Sequence, residues 1–480
     1  MDYQALGFKC GVEVHNRLAT KHKLFCNCPA RFSNFPSSRS VKRKLRPVAG
    51  ELGAIDVAAI YEYLRDRTFH YQIFSDAVCL VELDEEPPHD LNKEALEVAL
   101  QVAMLLKCEI PEEIHVMRKT VIDGSNTAGF QRTAIVGLNG VLQTSLGPIK
   151  ITTVAVEEES AGIVEQKEND VVYRLDRLGI PLIEIGTAPD IKNPEHAKEI
   201  AGKLGMIIRS TGKSQRGIGV TRQDVNVSIK GGARVEVKGV QELDLIPRII
   251  ESEVLRQKSL IEKGQKPREE TRVAKADGST DFTRPLPGGE RMYPETDIPP
   301  IAVTKETLSE IELPETWDSK RKRFLKILPK DLAEQVLWSE YLNVFEEFYK
   351  KHDPVLVAST LTSTVKDLRR RGFEIDGLVE KEFDNIFSAV KNKKISKEAI
   401  SQILELIAGE KLSFNEAVKK AGIEALSENE LRKTIKKIFE KYPHLVKEKK
   451  VSALMGEVMK DVRGRIDGKT VAKILNEELR

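Results

Sequence analysis

A short segment near the N-terminus, FKCGVEVH over residues 8–15, alternates apolar side chains with others. Successive side chains of a β-strand point to opposite faces, so this pattern predicts a strand with one face in a core. Glu13 and His15 share the other face, about 7 Å apart on a rise of roughly 3.4 Å per residue. The chain is therefore constrained to form a sheet with a carboxylate and an imidazole side by side on its polar face.

Three later segments, 181–185, 222–229 and 234–238, alternate in the same way. Their polar faces are expected to carry Glu184, Asp224, Asn226, Ser228, Glu236 and Lys238. Another predicted strand, 151–156, runs directly into three glutamates at 157–159. Carboxylates and a histidine on neighbouring strands predict a Mg²⁺ site, because Mg²⁺ prefers oxygen ligands and keeps waters that substrate phosphates replace. The alternative is the solvated polar face of an antiparallel sheet.

Basic side chains lie near these segments, most of them next to Gly, Ser or Thr. They are Arg118, Lys119, Arg132, Arg174, Arg177, Lys213, Arg216, Arg222 and Lys238. The loop Asp123–Thr127, with Ser125 at its centre, adds further polar groups. Phosphoryl transfer depends on positioning and on neutralising charge, which metal ions, basic side chains and backbone N–H groups provide. This set predicts a phosphate-binding site, and exposed basic loops are the alternative.

Some apparent motifs are incomplete. The sequence TGKS at 211–214 ends like a P-loop, but Ile207 stands where the first glycine of that motif belongs. Cys26-Asn27-Cys28 suggests zinc, but no second cysteine pair follows at a useful spacing, so two unligated thiols are expected. No nucleophile elbow and no Ser-Lys amidase pattern is present, so the sequence does not encode amide hydrolysis.

Bulk properties exclude several classes of protein. The 480 residues suffice for two to four domains, and a net charge of only +2 does not mark a general nucleic-acid binder. There is no apolar run near 18 residues and no signal-peptide pattern, so no membrane association and a cytoplasmic location are expected. Five cysteines at irregular spacing fit a reducing compartment.

The chain changes character near residue 305. Before it, strands are predicted at 149–156, 220–229 and 233–238, and helices at 92–106, 194–208 and 246–263. The proline- and glycine-rich stretch 283–300 is expected to be a linker or a strap over the sheet. After it, amphipathic helices are predicted at 317–328, 330–350, 353–371, 380–392, 396–408 and 413–422. Residues 411–480 hold 17 Lys and Arg against 11 Asp and Glu, a net charge of +6.

Long segments of the chain resemble one family. They are Gly11–His15 with its continuation through Cys26, Cys79–His89, Val116–Thr133, Tyr173–Ile185, Arg222–Ser228, Glu236–Gln241 and Arg291–Pro300. They are similar to the E-type subunit of archaeal glutamyl-tRNA(Gln) amidotransferase, a relative of the B-type subunit of bacterial aspartyl/glutamyl-tRNA amidotransferase. The match runs from about residue 7 to 300 and resumes in the last 30 residues. The sequences VIDGSNTAGFQRT and LDEEPPH favour the E type.

The resemblance implies an α+β fold: a cradle-like mixed or antiparallel sheet domain at 1–305, a helical domain at 306–410 and a small basic helical tail at 411–480 that binds tRNA. It implies ATP and Mg²⁺ as cofactors and Glu-tRNA(Gln) as substrate. The γ-carboxylate of glutamate would be phosphorylated and then amidated by ammonia. An asparaginase-like partner, the D-type subunit, would supply the ammonia, in a hetero-oligomer with two copies of each subunit.

The resemblance also assigns roles to residues. Implied metal ligands are Glu13, His15, Glu184 and either Glu157 or Glu158. Lys119 and Arg222 join Glu13, His15 and Glu184 as catalytic candidates. Candidates for binding ATP are Arg118, Ser125, Arg132, Arg177, Lys213, Asp224, Asn226, Ser228 and Lys238.

Two departures from the family pattern stand out. The E type usually carries a domain resembling part of aspartyl-tRNA synthetase before the segment that begins at Glu269, and the stretch 261–268 leaves no room for it. Residues 157–160 read EEES where relatives have EEDA, which leaves the choice between Glu157 and Glu158 open. Alternative functions are a B-type subunit working with an amidase, and a non-catalytic tRNA-binding scaffold.

Overall fold

All strands in the described chain precede Val303, and helices alone follow. The computed structural model describes residues 1–49, 53–217, 219–315, 317–375, 378, 380–422, 428–448, 450–462, 466 and 468–479. The strands are β1 (Lys9–Arg17), β2 (Arg39–Arg43), β3 (Thr68–Ile73), β4 (Glu113–Ile114), β5 (Val116–Thr120), β6 (Phe130–Thr144), β7 (Gly147–Glu158), β8 (Gly162–Gln166), β9 (Asp170–Arg174), β10 (Pro181–Thr187), β11 (Thr221–Ser228), β12 (Val235–Val240), β13 (Glu270–Ala274), β14 (Thr280–Pro285), β15 (Met292–Pro294) and β16 (Ile301–Ala302).

The helices complete the α+β fold class, which is confirmed. They are α1 (Val57–Leu64), α2 (Lys93–Leu105), α3 (Pro194–Ser210), α4 (Leu245–Glu262), α5 (Lys305–Ser309), α6 (Trp317–Phe324), α7 (Lys330–Trp338), α8 (Leu342–Phe348), α9 (Pro354–Ser359), α10 (Val365–Arg370), α11 (Glu380–Lys391), α12 (Ile400–Glu410), α13 (Phe414–Ala421), α14 (Glu428–Lys441), α15 (Pro443–Lys447), α16 (Val451–Val462) and α17 (Gly468–Glu478). None of these helices has the length and apolar character that a membrane span requires.

Ten strands form one large sheet in the order β14-β13-β12-β11-β1-β10-β7-β6-β5-β15. The strand β1 lies inside it, antiparallel to β10 on one side and to β11 on the other. The pair β12 and β13 is parallel and the other pairs are antiparallel, so the sheet is mixed. The N-terminal segment that dominates the sequence pattern therefore occupies a central strand.

One face of this sheet packs against helices. Cys10, Val12 and Val14 of β1 are buried in the same core as residues of α2, α3 and α4. Glu13 and His15 lie on the opposite face and are partly exposed. The alternation read from the sequence is thus confirmed, because burying one face leaves the polar side chains together on the other.

Two of the predicted helix starts have caps that explain them. Asn92 precedes α2 and its side chain accepts a hydrogen bond from the N–H of Ala95. Asn193 does the same for His196 in α3, which begins with Pro194. Such caps satisfy N–H groups that the first helical turn leaves without partners, and proline fits that turn because it has no N–H.

The proline- and glycine-rich stretch forms the two edges of the sheet. Its first part, β14, pairs with β13, and its second part, β15, pairs with β5. Pro294 lies opposite Met117 in the outer pair. Proline is tolerated at a sheet edge, where its missing N–H costs no ladder hydrogen bond. The expectation of a linker or a strap over the sheet was therefore wrong.

A smaller sheet, β2-β3-β9-β8, holds the loop Asp123–Thr127 in place. The Tyr71 hydroxyl donates to the carbonyl of Gly124 at 2.8 Å, and the Tyr173 hydroxyl donates to the carbonyl of Asp123 at 2.9 Å. Both tyrosines belong to the core of this sheet. The loop is thereby fixed at its backbone.

Residues Met1–Trp317 form one compact unit and Asp318–Arg480 a second. In the second, the predicted helix 330–350 is divided into α7 and α8, because Ser339 adopts extended backbone and its hydroxyl accepts from the N–H of Tyr341. A π-helical segment, Thr360–Thr364, joins α9 to α10. Residues of α14, α16 and α17 share a separate apolar core. The boundaries at 305 and 410 stay predictions.

We expect Gly124→Ala to destabilise the first unit by about 2–5 kcal/mol, because left-handed backbone and overpacking both cost free energy. Gly124 has a φ of 91°, and an added Cβ would overlap the ring of Phe69. Gly212→Ala is the matched control: its φ is 77° but its surroundings are open, so about 1–2 kcal/mol is expected. Denaturant unfolding of the full chain measures both. Equal losses would show that contact with Phe69 contributes nothing.

Candidate functional site

The register around β1 brings the charged side chains together. His15 lies opposite Glu184 of β10 and opposite Arg222 of β11, and Glu13 lies opposite Asp224. Directly opposed residues of antiparallel strands share a face, with Cβ atoms about 5 Å apart. The polar face of the sheet therefore gathers groups that are far apart in sequence, such as Asn226 and Glu13, which are 213 positions apart.

Glu13, His15 and Glu184 form one potential metal-ligand group. Their ligand atoms all lie within 4.8 Å of one another, and His15 Nε2 is 3.1 Å from Glu184 Oε2. Burial lowers the pKa of His15, but the hydrogen bond to Glu184 and the nearby carboxylates outweigh it and raise this pKa to about 9. Burial raises the pKa of Glu184, but Lys119 and His15 hold it well below its usual range. Glu184 therefore stays ionised.

Lys119 continues this group across the sheet. Its Nζ is 2.5 Å from Glu157 Oε1 and 3.6 Å from Glu184 Oε2. Burial and the charge of Glu184 raise the pKa of Glu157. His15, Glu184, Lys119 and Glu157 thus form a series in which potential positive and negative charges alternate.

The three consecutive glutamates face three different environments. Glu157 lies beside Glu184 and Lys119, as described above. Glu158, the next residue of β7, is on the opposite face, where it accepts from the N–H of Arg132 at 3.0 Å. Glu159 follows the strand and pairs with Arg222 at 2.8 Å. Of the two glutamates that the sequence left open, the structure places Glu157 next to Glu184.

A second acidic group includes Glu13. Glu13, Asp224 and Glu236 have carboxylate oxygens within 4.8 Å of one another, and Lys238 Nζ is 2.9 Å from Asp224 and 3.0 Å from Glu236. Burial, together with Glu184 and Glu236, raises the pKa of Glu13 to about 7. Glu13 belongs to both groups, so this part of the face is short of positive charge.

A cavity of about 380 Å³ opens beside Glu13. Its polar lining includes Lys9, Thr152, Thr187, Asn226, Ser228 and Arg234. Cavities that bind small ligands begin near 300 Å³ and combine apolar walls with a few polar groups. The predicted residues Asn226 and Ser228 therefore line space next to the acidic groups.

Other predicted phosphate-binding residues have partners elsewhere. Arg118 and Arg132 both bind the buried carboxylate of Glu295, at 2.5 and 2.7 Å. Lys213 Nζ pairs with Glu94 at 2.6 Å. Ser125 donates to Asp123 within its own loop. Arg177 donates to the carbonyls of Ser160 and Ala161. The loop at 216–219 includes Ile218, which is outside the described residues.

The structure adds one metal-ligand group that the spacing of cysteines did not predict. Cys26, Cys28, Cys79 and Glu82 have ligand atoms within 4.8 Å of one another. Lys23 Nζ is 2.6 Å from Glu82 Oε1, and the N–H of Cys79 donates to Glu82 Oε2 at 2.8 Å. Three thiols and a carboxylate can hold Zn²⁺ tetrahedrally. In the sequence, the only sign of the other two ligands was the segment CLVE at 79–82. It lies too far along the chain from Cys26 and Cys28 to be read as part of the same site.

Comparisons with known proteins show the family to which this sequence is similar. A family model described as the GatB/GatE catalytic domain matches residues 8–309, and a second, described as the GatB domain, matches 343–479. Three relatives are named as the E-type subunit of glutamyl-tRNA(Gln) amidotransferase. They come from Methanocaldococcus jannaschii (36% identity over 626 residues), Archaeoglobus fulgidus (38% over 613) and Saccharolobus solfataricus (34% over 631).

Each alignment covers 100% of this chain and 99% of the relative. Each alignment is also much longer than the 480 residues of the chain. Every one of these relatives therefore contains residues that this chain lacks, which agrees with the sequence expectation of a missing inserted domain.

We expect the Cys26–Cys28–Cys79–Glu82 group to bind about one Zn²⁺ per chain, because three thiolates and a carboxylate supply the four donors of a tetrahedral zinc site. Cys79→Ser should lower the bound zinc severalfold. Cys108→Ser, in a partly buried thiol outside the group, should leave it unchanged. Atomic emission of the desalted protein after exposure to Zn²⁺ measures both. A wild-type chain that keeps no zinc would contradict the assignment.

Proposed function

The chain belongs to the GatB/GatE family, whose members are components of tRNA-dependent amidotransferases, and from this we propose that it converts Glu-tRNA(Gln) to Gln-tRNA(Gln) with ATP and Mg²⁺. The observation that carries the proposal is the Glu13–His15–Glu184 group, with Lys119 beside it, on the polar face of the sheet. The family is one of ligases in protein biosynthesis, and the names of its members identify them as parts of a larger enzyme.

The reaction has two steps. A γ-carboxylate oxygen of the tRNA-bound glutamate attacks the γ-phosphorus of ATP, and ADP leaves. The nitrogen of ammonia then attacks the activated carbonyl carbon, and inorganic phosphate leaves as the amide forms. Both steps build negative charge on phosphate oxygens, so their rates depend on positioned cations.

The residues present fit a divalent cation. Glu13, His15 and Glu184 would hold it, with His15 giving up its proton, because their carboxylate and imidazole ligand atoms converge. The three carboxylates around Glu13 also outnumber Lys238, the lysine paired with two of them. Bound there, Mg²⁺ would neutralise the triphosphate. Glu157 would stay paired with Lys119, whose Nζ lies close enough to Glu184 to hold it in position.

The nucleotide and the aminoacyl end of tRNA need space next to these groups. The cavity beside Glu13, with Asn226 and Ser228 in its wall, is large enough for one nucleoside or for the aminoacyl group. Asp224 and Lys238 would keep the cavity side of the acidic groups fixed through their ion pair. We also assign Arg222 to substrate binding, because it lies opposite His15 in register.

The ammonia must come from another protein, because the sequence holds no amidase pattern. We propose an asparaginase-like D-type subunit as its source, in an assembly with two copies of each protein. An amidase partner, as used by the B type, is the alternative. Restoring Gln-tRNA(Gln) formation from purified components with one partner or the other decides between them.

We expect Glu184→Gln to lower tRNA-dependent ADP release by roughly 100-fold or more, because it removes a charge at the cation site. Binding of Glu-tRNA(Gln) should not change. Glu165→Gln, at an exposed strand position, is the control and should keep full activity. ADP release and filter binding give the two readouts. Full ADP release by the Glu184 variant would contradict the metal assignment.

We expect removal of residues 411–480 to weaken tRNA binding and to leave the sheet intact, because this tail carries a net charge of +6 and cationic groups contact RNA phosphates. The double variant Lys433→Gln/Lys437→Gln should weaken binding less and flatten its dependence on salt. Titrations at two salt concentrations measure both effects. An unchanged affinity at physiological salt would exclude the tail as a tRNA contact.

A further inference from the structure

Three arginines surround a single carboxylate next to the proposed reaction group. Glu159 is the carboxylate, and its side chain is 2% exposed. Arg222 binds it through two nitrogens, at 2.8 and 2.9 Å. Arg17 of β1 approaches to 3.9 Å, and Arg177 lies near enough for its charge to act on Glu159. We refer to Arg17, Arg177, Arg222 and Glu159 as the arginine cluster.

The Nε of Arg17 is buried without a hydrogen-bond acceptor among the described residues. Its side chain is 6% exposed, and its Nε finds no acceptor in the described part of the chain. Its guanidinium lies 5.2 Å from the centre of the Phe32 ring, and the carboxylate of Glu159 is beyond hydrogen-bond distance. A guanidinium has five N–H donors, and a buried donor that finds no acceptor destabilises the folded chain.

The partners of the other two arginines do not add a negative charge that could balance Arg17. Arg177 gives its donors to two backbone carbonyls, at 2.7 and 2.8 Å, which are neutral acceptors. Arg222 already shares Glu159. Burial lowers the pKa of Arg17 to about 10, and the charges of Arg222 and Arg177 add to that effect against the attraction of Glu159. The arginine cluster therefore has three positive charges and one negative charge.

The position of the cluster connects it to the polar face. Arg222 lies opposite His15 in register, and Arg17 follows His15 two positions along β1 on the same face. The rise of a strand puts these two side chains about 7 Å apart. An anion held by the cluster would thus lie beside the Glu13–His15–Glu184 group.

We propose that Arg17, Arg177 and Arg222 form a binding site for a phosphate group of a substrate. The fork of a guanidinium matches phosphate oxygens, and a bound phosphate would satisfy Arg17 and balance the surplus charge. This proposal rests on the proposed function, which supplies two sources of phosphate: the acceptor end of tRNA and the triphosphate of ATP.

Phe32 favours the acceptor end of tRNA. It is a partly exposed aromatic side chain, 38% exposed, within 5.2 Å of Arg17 and 5.0 Å of Arg174. Proteins bind single-stranded RNA by stacking bases on aromatic rings while arginines hold the backbone. Phe32 beside the arginine cluster offers both contacts to the unpaired 3′ nucleotides.

The test measures binding without catalysis. The ligands are a short acceptor-stem RNA ending in CCA and, separately, ATP. Arg17→Gln removes the charge of Arg17 together with its unsatisfied Nε. Arg31→Gln is the matched control, because Arg31 is largely exposed and already pairs with Asp76 at 3.6 Å. We expect Arg17→Gln to weaken RNA binding roughly tenfold and to reduce its salt dependence by about one phosphate contact. The control should bind RNA like the wild type.

Each result decides the matter. A loss of ATP affinity in place of RNA affinity would support the site and identify the triphosphate as its ligand. Unchanged affinity for both ligands would overturn the proposal and leave the arginine cluster a structural feature. Arg17→Lys keeps the charge without the fork and should show an intermediate loss, which guards against misfolding of the first variant. ADP release by the wild type tests the proposed function separately from these affinities.

Discussion

The hydrogen-bond ladder that holds β1 between β10 and β11 determines most of what this chain can do. It sets His15 against Glu184 and Arg222, and Glu13 against Asp224. A shift of one residue would turn Glu13, His15 and Arg17 into the core, so the buried face fixes the register. The helices α2, α3 and α4 enforce that register because they cover the apolar face.

Charge balance across the polar face follows from this arrangement. Lys119 and Lys238 neutralise the carboxylates near them. Two positions on β1 remain unbalanced and in opposite directions: acidic groups crowd Glu13, whereas positive charge accumulates at Arg17. Buried charges need partners. A cation at Glu13 and a phosphate at Arg17 would therefore balance the charges at both positions of β1.

Much of the fold could be predicted from the sequence, because period-two alternation and helix caps are local signals. Asn193 and Pro194 mark the start of α3, and the alternation of 222–229 marks β11. The basic residues were less predictable. Arg118 and Arg132 both bind Glu295. Glu295 comes directly after the edge strand β15, whose pairing with β5 brings this carboxylate to the two arginines. No local pattern indicates such a pairing.

The sequence by itself determined which residues alternate, and hence that Glu13, His15 and Glu184 lie on polar faces. It also carried the long motifs of the GatB/GatE family. Only the tertiary structure decided that Glu157 and not Glu158 adjoins Glu184, that Cys79 and Glu82 join Cys26, and that the Nε of Arg17 lacks an acceptor within the described chain. The reason is physical: a strand's faces follow from its own residues, but the partner of a buried charge depends on which distant strand lies beside it.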